Sequence, residues 1–347
     1  MNKLTLIILT LILLGGCMSP SQKYSNLDPS KGAKKFTFWE RMALMKKVFV
    51  DKSERAPTTK LPEVKPDLAV FADNAQSLKF IWFGHSTILL HIQGRNVLID
   101  PIFSGAASPV SFLVKRFQPP VLGLTELPAI DLIIISHDHY DHLDKETIKY
   151  FSQTQAEFVV PMGVGNHLRD WGVKTASITE LNWNESVEKV GLKLTATPAQ
   201  HFSGRTFFDG NSTLWASWVI KSPNESVFFS GDTGYNEHFK TIGSEHGPFD
   251  YAFIENGQYN ERWRDMHLHP EETIQAMKDL RAKAFIPIHW GMFNLSFHQW
   301  NEPIERSYQL ASREKLKILT PRLGEVVSHD TQDFYPWWEI QNNSTQE

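Results

Sequence analysis

The sequence predicts an α+β fold in which two β-sheets pack face to face and helices cover the outside. Strand-like runs come first in clusters, and further along the chain they alternate with helical patterns. Sheets in the middle with helices outside bury the apolar faces of both kinds of element. No stretch rich in Pro, Gly or Ser divides residues 79–330, so we assign them to one domain. The hydrophobic content of 41% supplies the core that such a domain requires.

The individual elements follow from local patterns. Short apolar runs bounded by turn residues predict strands at 79–83, 87–92, 96–100, 131–136, 157–160, 192–197, 215–220, 226–230, 251–255 and 284–289. Helical spacing predicts helices at 145–151, 270–281 and 303–313. Gly94 turns the chain between the second and third strands. Pro270 begins a helix because its fixed φ suits the first helical position.

Composition excludes several classes of protein. The formal net charge of -4 argues against a nucleic-acid partner held by bulk charge, so none is expected. A single cysteine among 347 residues excludes an intramolecular disulfide framework and any cysteine-rich metal site. Fourteen histidines leave room for a metal site built from imidazoles.

The N-terminus has the pattern of a secretory signal. Residues 4–14 form an apolar run that is too short to span a membrane, which takes about 20 residues. Gly15 and Gly16 then precede Cys17, an arrangement that resembles a bacterial lipobox. We therefore expect residues 1–16 to be a signal peptide and Cys17 to be lipidated; the alternative is an ordinary signal peptide with an incidental cysteine. Because Met18 is not the aspartate typical of inner-membrane retention, we expect the outer membrane, on the periplasmic side.

The flanking segments carry weaker signals. Residues 17–78 form a lipid-anchored N-terminal segment and linker, with helical spacing at 38–50. Seven basic and two acidic residues occur over 31–52. That bias fits either a helix on anionic lipid or, as we prefer, a helix packed on the main domain with a solvated basic face. Residues 331–347 are interpreted as a C-terminal tail.

The strongest local signal is a histidine–aspartate motif directly after the fourth predicted strand. Residues 137–142 read His-Asp-His-Tyr-Asp-His, so five metal-capable side chains occur in six positions. Neutral imidazole and carboxylate suit zinc and similar divalent ions. The spacing suggests that His137 and His139 bind one ion and that Asp141 and His142 bind a second. The alternative is a polar surface loop that happens to be rich in histidine.

Three further candidate ligands each follow a predicted strand. They are His201, Asp232 and His289. Any one of them alone is a weak signal, because a single histidine at a strand end is more often structural. Their repeated position after strands makes them candidates together.

The complete pattern resembles the metallo-β-lactamase superfamily, with these residues in the same chain order. The resemblance implies an αββα sandwich of two mixed sheets, with metals at one edge of both. It implies that His137, His139 and His201 hold a first ion, that Asp141, His142 and His289 hold a second, and that Asp232 bridges. The expected cofactors are therefore two divalent metal ions, with zinc as the expected metal. The only cysteine lies at the terminus, which departs from those members that use a cysteine ligand.

A closer resemblance, over residues 38–330, is to the N-acylphosphatidylethanolamine-hydrolysing phospholipase D family and its bacterial relatives. It rests on residues 83–87, 98–104, 115–120, 137–144, 200–205, 231–235, 267–272 and 287–291. The implied reaction is cleavage of the phosphodiester to N-acylethanolamine and phosphatidic acid by a hydroxide that bridges the two ions. Two alternatives stay open: a lactonase or other ester hydrolase of a non-lipid substrate, and a non-catalytic envelope lipoprotein that binds metal or a partner.

The resemblance also implies roles beside the metals. Asp141 is expected to orient the nucleophile, and His267 either assists the leaving group or only packs ahead of the helix at Pro270. His85 is either structural or a support of the metal ligands. Asp100 is expected to hold the ligand loop.

The predicted contacts with the substrate lie on the long apolar loop at 103–121. Lys115 and Arg116 in that loop are candidate contacts for the substrate phosphate, although the loop is equally well a packed surface loop. His269 falls at a helix N-cap, where Asn or Asp caps better, and we give it no catalytic role. The expected partners are a phospholipid substrate and the membrane; the oligomeric state is open, including a homodimer.

Overall fold

The computed structural model describes residues 24–31, 37, 39–40, 54–73, 78–206, 208–331 and 334–339. The predicted signal peptide and Cys17 lie outside these residues, as does almost all of the predicted helix at 38–50. Among the described residues no helix is long and apolar enough to cross a membrane.

The first sheet has seven strands. In chain order they are β1 (Lys79–Trp82), β2 (Ile88–Ile92), β3 (Arg95–Ile99), β4 (Leu132–Ile134), β5 (Glu157–Pro161), β6 (Ile178–Leu181) and β13 (Val326–Ser328). Their spatial order is β13-β1-β2-β3-β4-β5-β6. β13, β1, β2 and β3 pair antiparallel, whereas β3 to β6 pair parallel, so the sheet is mixed.

The second sheet has six strands. They are β7 (Ser186–Lys189), β8 (Leu192–Thr197), β9 (Ser217–Lys221), β10 (Ser226–Phe229), β11 (Tyr251–Glu255) and β12 (Ala284–Ile288), in the spatial order β12-β11-β10-β9-β8-β7. β10, β11 and β12 are parallel, and the remaining pairs are antiparallel. This sheet is therefore mixed as well.

The two sheets pack face to face, as the sequence predicts. One buried cluster joins Phe80 and Leu90 of the first sheet to Trp218 and Phe253 of the second. The Phe80 and Phe253 rings meet edge to face, with centroids 5.0 Å apart. Aromatic pairs of this geometry stabilise a core by about 0.5–1.5 kcal/mol beyond their buried area.

Helices cover both outer faces. They are α1 (Leu68–Ala72), α2 (Lys145–Phe151), α3 (Val164–Asp170), α4 (His238–His246), α5 (Pro270–Leu280) and α6 (Glu302–Glu314). Separate apolar clusters join α1, α2 and α3 to the first sheet, and α4, α5 and α6 to the second. The layer order is therefore helix, sheet, sheet, helix, which confirms the predicted αββα sandwich.

The helices predicted at 145–151, 270–281 and 303–313 and the ten predicted strands are all present, with ends that shift by at most two residues, whereas α1, α3 and α4 are additional helices. β6, β7 and β13 are additional, and all three are edge strands. These three strands carry few buried apolar residues; β7, for example, alternates exposed and half-buried positions. The unpredicted helix α4 contains Gly243, which lowers helix propensity. A side chain at that position would collide with the backbone of Asp279 in α5, so glycine allows the two helices to pack closely.

The packed body extends past both predicted domain limits. Before residue 79, the side chains of Leu61 and Phe71 are fully buried. After residue 330, Trp337 and Trp338 are buried as well, and the Trp337 ring stacks on Trp290 with centroids 5.3 Å apart. The described parts of the predicted linker and tail are therefore packed segments of the same domain.

Candidate metal centre

All seven predicted ligands lie together at one edge of the sandwich. His137, His139, Asp141 and His142 follow β4 of the first sheet. In the second sheet His201 follows β8, Asp232 follows β10 and His289 follows β12. The carboxyl ends of these strands meet at the same edge, so each sheet supplies part of the ligand set.

The first cluster consists of His137, His139, His201 and Asp232. His137 Nε2 and His201 Nε2 lie 2.8 and 3.3 Å from His139 Nδ1. The same two nitrogens lie 3.9 and 3.7 Å from Asp232 Oδ2. Four ligand atoms at these separations fit around one tetrahedral ion, for which ligand bonds are about 2.0–2.2 Å.

The second cluster surrounds Asp141, His142 and His289. His142 Nε2 and His289 Nε2 lie 3.4 and 3.3 Å from Asp141 Oδ2. Asp232 faces this group too, with Oδ1 3.1 Å from His142 Nε2 and Oδ2 3.1 Å from His289 Nε2. Asp232 therefore lies between both clusters, in the position that the resemblance to the superfamily implies for a bridging ligand.

The donor set fits divalent metal ions. His142 Nε2 and Asp232 Oδ1 are buried without a hydrogen-bond partner among the described residues. Orphaned buried polar atoms are costly, and coordination to an ion satisfies both. The ligand atoms are imidazole nitrogens and carboxylate oxygens, which suit zinc and related first-row ions.

The electrostatics of the two clusters differ. Burial lowers the pKa of His137, His139 and His201 below the ordinary value, so these rings are neutral and ready to coordinate. Burial also acts against the charged forms of His142 and His289, but the Asp232 and Asp141 carboxylates overcome it. They raise the pKa of both rings well above the ordinary value. Without metal, the second cluster therefore holds protons that an ion must displace.

Asp100 holds the ligand loop, as predicted. Its carboxylate is fully buried and accepts hydrogen bonds from Ser136 N at 2.7 Å and Ser136 Oγ at 2.6 Å. Asp100 Oδ2 also accepts from His142 Nδ1 at 2.7 Å, which leaves His142 Nε2 to face Asp232. A carboxylate on the far nitrogen of a ligating histidine fixes both the tautomer and the orientation of the ring.

His85, whose role the sequence leaves open, lies at the second cluster. Its Nε2 donates to Asp141 Oδ2 at 2.8 Å, and its ring is fully buried. Burial and the nearby His289 lower the pKa of His85 to about 3, so the ring is neutral. Its backbone carbonyl accepts from His289 N at 2.9 Å. His85 therefore supports two ligands of the second cluster at once.

Glu255, a residue that the sequence analysis missed, lies beside the same cluster. It ends β11, is fully buried, and contacts His267 and His289 with one carboxylate oxygen. The signal that identified Asp232 and His289, a polar residue at the end of a strand, was present here too. A cavity of about 260 Å³ opens beside both clusters. It is lined by His139, Asp141, Phe202, Asp232, Gln258, Trp263, Met266, His267, His289 and Leu295.

The predicted substrate residues lie elsewhere. Arg116 Nη1 donates to Ile102 O at 2.8 Å, and its guanidinium lies over the Phe293 ring, so this residue braces the loop. Lys115 lines a different depression. Neither is among the residues that line the cavity beside the clusters. His269 is the N-cap residue of α5, where its N–H donates to Glu272 Oε2 at 3.0 Å, and it lies in neither cluster.

Two mixed sheets between helices, with a histidine–aspartate centre at their common edge, define an αββα sandwich built around a candidate metal site. Residues 95–290 match the model of the beta-lactamase superfamily domain, more than half of the chain. The chain belongs to the metallo-β-lactamase superfamily and is a metal-dependent hydrolase of that superfamily.

Several known proteins are similar to this chain. An uncharacterised protein of Mycobacterium tuberculosis is 41% identical over 325 residues, 91% of this chain and 86% of the relative. The N-acyl-phosphatidylethanolamine-hydrolyzing phospholipase D 1 of Caenorhabditis elegans is 37% identical over 263 residues, 71% of this chain and 74% of that enzyme. The outer membrane protein RomA of Klebsiella pneumoniae is 50% identical over 100 residues, 29% of this chain and 75% of RomA.

The fold has solved counterparts. A metallo hydrolase of the archaeon Ignicoccus hospitalis superposes with a TM-score of 0.56 at 21% identity, covering 74% of this chain and 100% of that one. At this identity the likeness supports the fold alone.

Proposed function

We propose that the protein is a dinuclear phosphodiesterase of the phospholipase D type, which cleaves N-acylphosphatidylethanolamine-like lipids to N-acylethanolamine and phosphatidic acid. The observation that carries the proposal is the pair of clusters that share Asp232 beside one cavity. Sites of this kind suit in-line displacement at phosphorus. The similarity to the nematode enzyme, whose name states this activity, supports the substrate class.

Individual residues of the chain would have separate roles in the cleavage of the phosphodiester. Bound divalent ions supply Lewis-acid polarisation of a phosphoryl oxygen and lower the pKa of a water. Asp141, fixed by His85, faces both the second cluster and the cavity. That water, after losing a proton to solvent, would add to phosphorus while the bond from phosphorus to the ethanolamine oxygen breaks. His267 lines the cavity, and in its doubly protonated form it would give its Nε2 proton to that departing oxygen.

A lipid substrate is favoured over a polar lactone by the surroundings of the site. Phe202, Trp263, Met266 and Leu295 form an apolar wall of the cavity. The loop that Arg116 braces ends in a tip where Val110, Phe112 and Leu113 are 38%, 62% and 49% exposed. Ser108 Oγ lies 2.6 and 2.8 Å from the carbonyl oxygens of Val110 and Leu113, so its one hydroxyl proton links the two sides of this apolar, exposed tip. Such a tip suits contact with acyl chains.

The first test is metal content together with phosphodiesterase activity. We expect the purified protein to hold about two divalent ions per chain and to hydrolyse bis-p-nitrophenyl phosphate. Asp232→Ala removes the shared ligand and should abolish activity and most bound metal. Asp250→Ala is the matched control, since Asp250 precedes β11 at the opposite edge of the same sheet and pairs with Lys283. Normal turnover after metal stripping contradicts the dinuclear proposal.

The second test identifies the substrate by mass spectrometry of a defined lipid panel and a lactone panel. Release of N-acylethanolamine and phosphatidic acid is the expected result. Lactone opening without phospholipid cleavage assigns the chain to the ester-hydrolase alternative. Metal binding without turnover on either panel supports the non-catalytic envelope lipoprotein.

We also propose an envelope location with a lipid anchor at Cys17. The lipobox-like sequence and the similarity to a protein named for the outer membrane support it. Cys17→Ser should release the protein from the membrane fraction. Undiminished membrane partition of that variant, measured by fractionation, would shift the attachment to residues 31–52.

A further inference from the structure

Glu255 is held more rigidly than its position at a strand end requires. It is the last residue of β11 and is fully buried. Its backbone N–H donates to Ser230 Oγ at 2.9 Å, and its carbonyl accepts from Thr273 Oγ1, also at 2.9 Å. Side chains from neighbouring segments therefore fix the backbone from which the carboxylate extends.

The carboxylate meets three nitrogens of the metal centre. Glu255 Oε2 accepts from the backbone N–H of Thr233, the residue after Asp232, at 2.6 Å. Glu255 Oε1 contacts Nδ1 of His267 and lies 3.2 Å from Nδ1 of His289, which is buried and has no hydrogen-bond partner among the described residues, so the carboxylate is the charged group that faces it. One buried carboxylate therefore accepts hydrogen bonds from Thr233 and from the cavity histidine, and it also faces Nδ1 of the predicted ligand His289.

These contacts specify the tautomer of each ring. An Nδ1 that faces a carboxylate carries the proton, which leaves Nε2 with its lone pair. In His289 the Nε2 is the atom that lies between Asp141 and Asp232. The His267 ring is parallel to that of His289, with an interplanar angle of 9° and centroids 5.3 Å apart. Because Glu255 occupies its Nδ1, His267 Nε2 is the nitrogen left for the cavity.

We propose that Glu255 is a positioning residue that sets the ring orientation and tautomer of two histidines at once. Through His289 it strengthens the second metal site, and through His267 it presents a nitrogen to the substrate. The His267 part rests on the proposed function, whereas the His289 part needs only metal binding.

The test compares Glu255→Gln with Glu225→Gln. Glu225 is a buried glutamate that precedes β10, at the edge of the second sheet remote from the clusters. A glutamine in place of Glu255 has one oxygen acceptor and cannot accept from Thr233 and from both rings. We expect zinc affinity at the second site to fall about 10–100-fold in Glu255→Gln, measured against a competing chelator, and to be unchanged in the control.

Turnover separates the two halves of the proposal. At saturating zinc, kcat of Glu255→Gln on bis-p-nitrophenyl phosphate should fall with little change in KM, and Glu255→Asp should restore part of it. An unchanged kcat at saturating zinc overturns the His267 half. Unchanged zinc affinity overturns the His289 half. If the wild type binds zinc but cleaves no phosphodiester, the proposed function fails while the affinity measurement still decides the His289 half.

Nuclear magnetic resonance of the zinc-loaded wild type gives a readout that does not depend on any variant folding. Long-range nitrogen–proton correlation distinguishes the two tautomers of each labelled histidine. Protonated Nδ1 in both His267 and His289 is the expected result. A ring whose only proton is on Nε2 overturns the proposal for that ring.

Discussion

Asp100→Asn is the substitution that most directly tests how the second metal site is built. In the wild type, Oδ2 accepts from both His142 Nδ1 and Ser136 Oγ, and Oδ1 accepts from Ser136 N. Asparagine keeps one acceptor and replaces the other with an NH₂ group. If the NH₂ takes the place of Oδ2, His142 must accept through Nδ1 and its proton moves to Nε2. That nitrogen lies 3.1 Å from Asp232 Oδ1 and is the one an ion needs.

The opposite rotamer of the asparagine in the Asp100→Asn variant also disrupts the hydrogen bonds around the site. With the amide oxygen in the place of Oδ2, the NH₂ group faces the backbone N–H of Ser136, and two donors oppose each other in a fully buried pocket. Loss of an outer partner of a ligating histidine typically costs 10–100-fold in metal affinity. We therefore expect affinity at the second site to fall by that factor, or about 1.4–2.7 kcal/mol.

Isothermal titration with zinc, or competition with a chromophoric chelator, measures this loss. Asp144→Asn is the matched control. Asp144 is also a buried aspartate that accepts from several donors, including Ser104 Oγ at 2.7 Å and Thr147 Oγ1 at 2.6 Å, and it contacts no ligand side chain. The zinc affinity of the Asp144→Asn variant should match that of the wild type. Equal affinity of Asp100→Asn and the wild type, or equal losses in both variants, refutes the tautomer argument.

Two further outcomes follow from the structure. Because carboxylates raise the pKa of His142 and His289, zinc must displace their protons, so apparent affinity should rise about tenfold per pH unit for each proton released. Titration in buffers of different ionisation enthalpy counts those protons, and zinc binding without release would show that the rings are neutral. Trp337→Ala removes a buried ring and its hydrogen bond to Thr320 O, and it should lower the unfolding free energy by about 3–5 kcal/mol. Tyr335→Ala, at a half-exposed position, should cost far less in chemical denaturation, and comparable losses would contradict packing of this segment.

The sequence predicted the site best where metal-capable residues follow the ends of apolar strands. His137, His201, Asp232 and His289 each stand directly after an apolar run, and costly polar residues at such positions indicate function. The carboxyl ends of the strands then bring them to one edge. The sandwich could be predicted for a related reason, since its central strands are continuous apolar runs.

The features that the sequence did not predict depend on contacts between residues that are far apart in the chain. His85 meets Asp141, a residue 56 positions away, because Gly84 and His85 both adopt positive φ in a turn. Glu255 carried the same signal as Asp232 and His289, a polar residue at the end of an apolar strand, but a single glutamate there resembles an ordinary surface residue and was overlooked. Arg116 was interpreted as a phosphate contact from its charge, but the carbonyl of Ile102 occupies its guanidinium. The edge strand β7 was not predicted because half of its residues face solvent.

The division of the ligands between the sheets has a mechanical consequence. His137, His139, Asp141 and His142 come from the sheet that forms mainly from the first half of the chain, and His201, Asp232 and His289 come from the other. Neither sheet carries a complete set for either cluster. Ions bound here would connect the two sheets at this edge, because each ion would take ligands from both. Removal of metal should then lower the unfolding free energy and loosen this edge, while the buried core between the sheets keeps the layers packed.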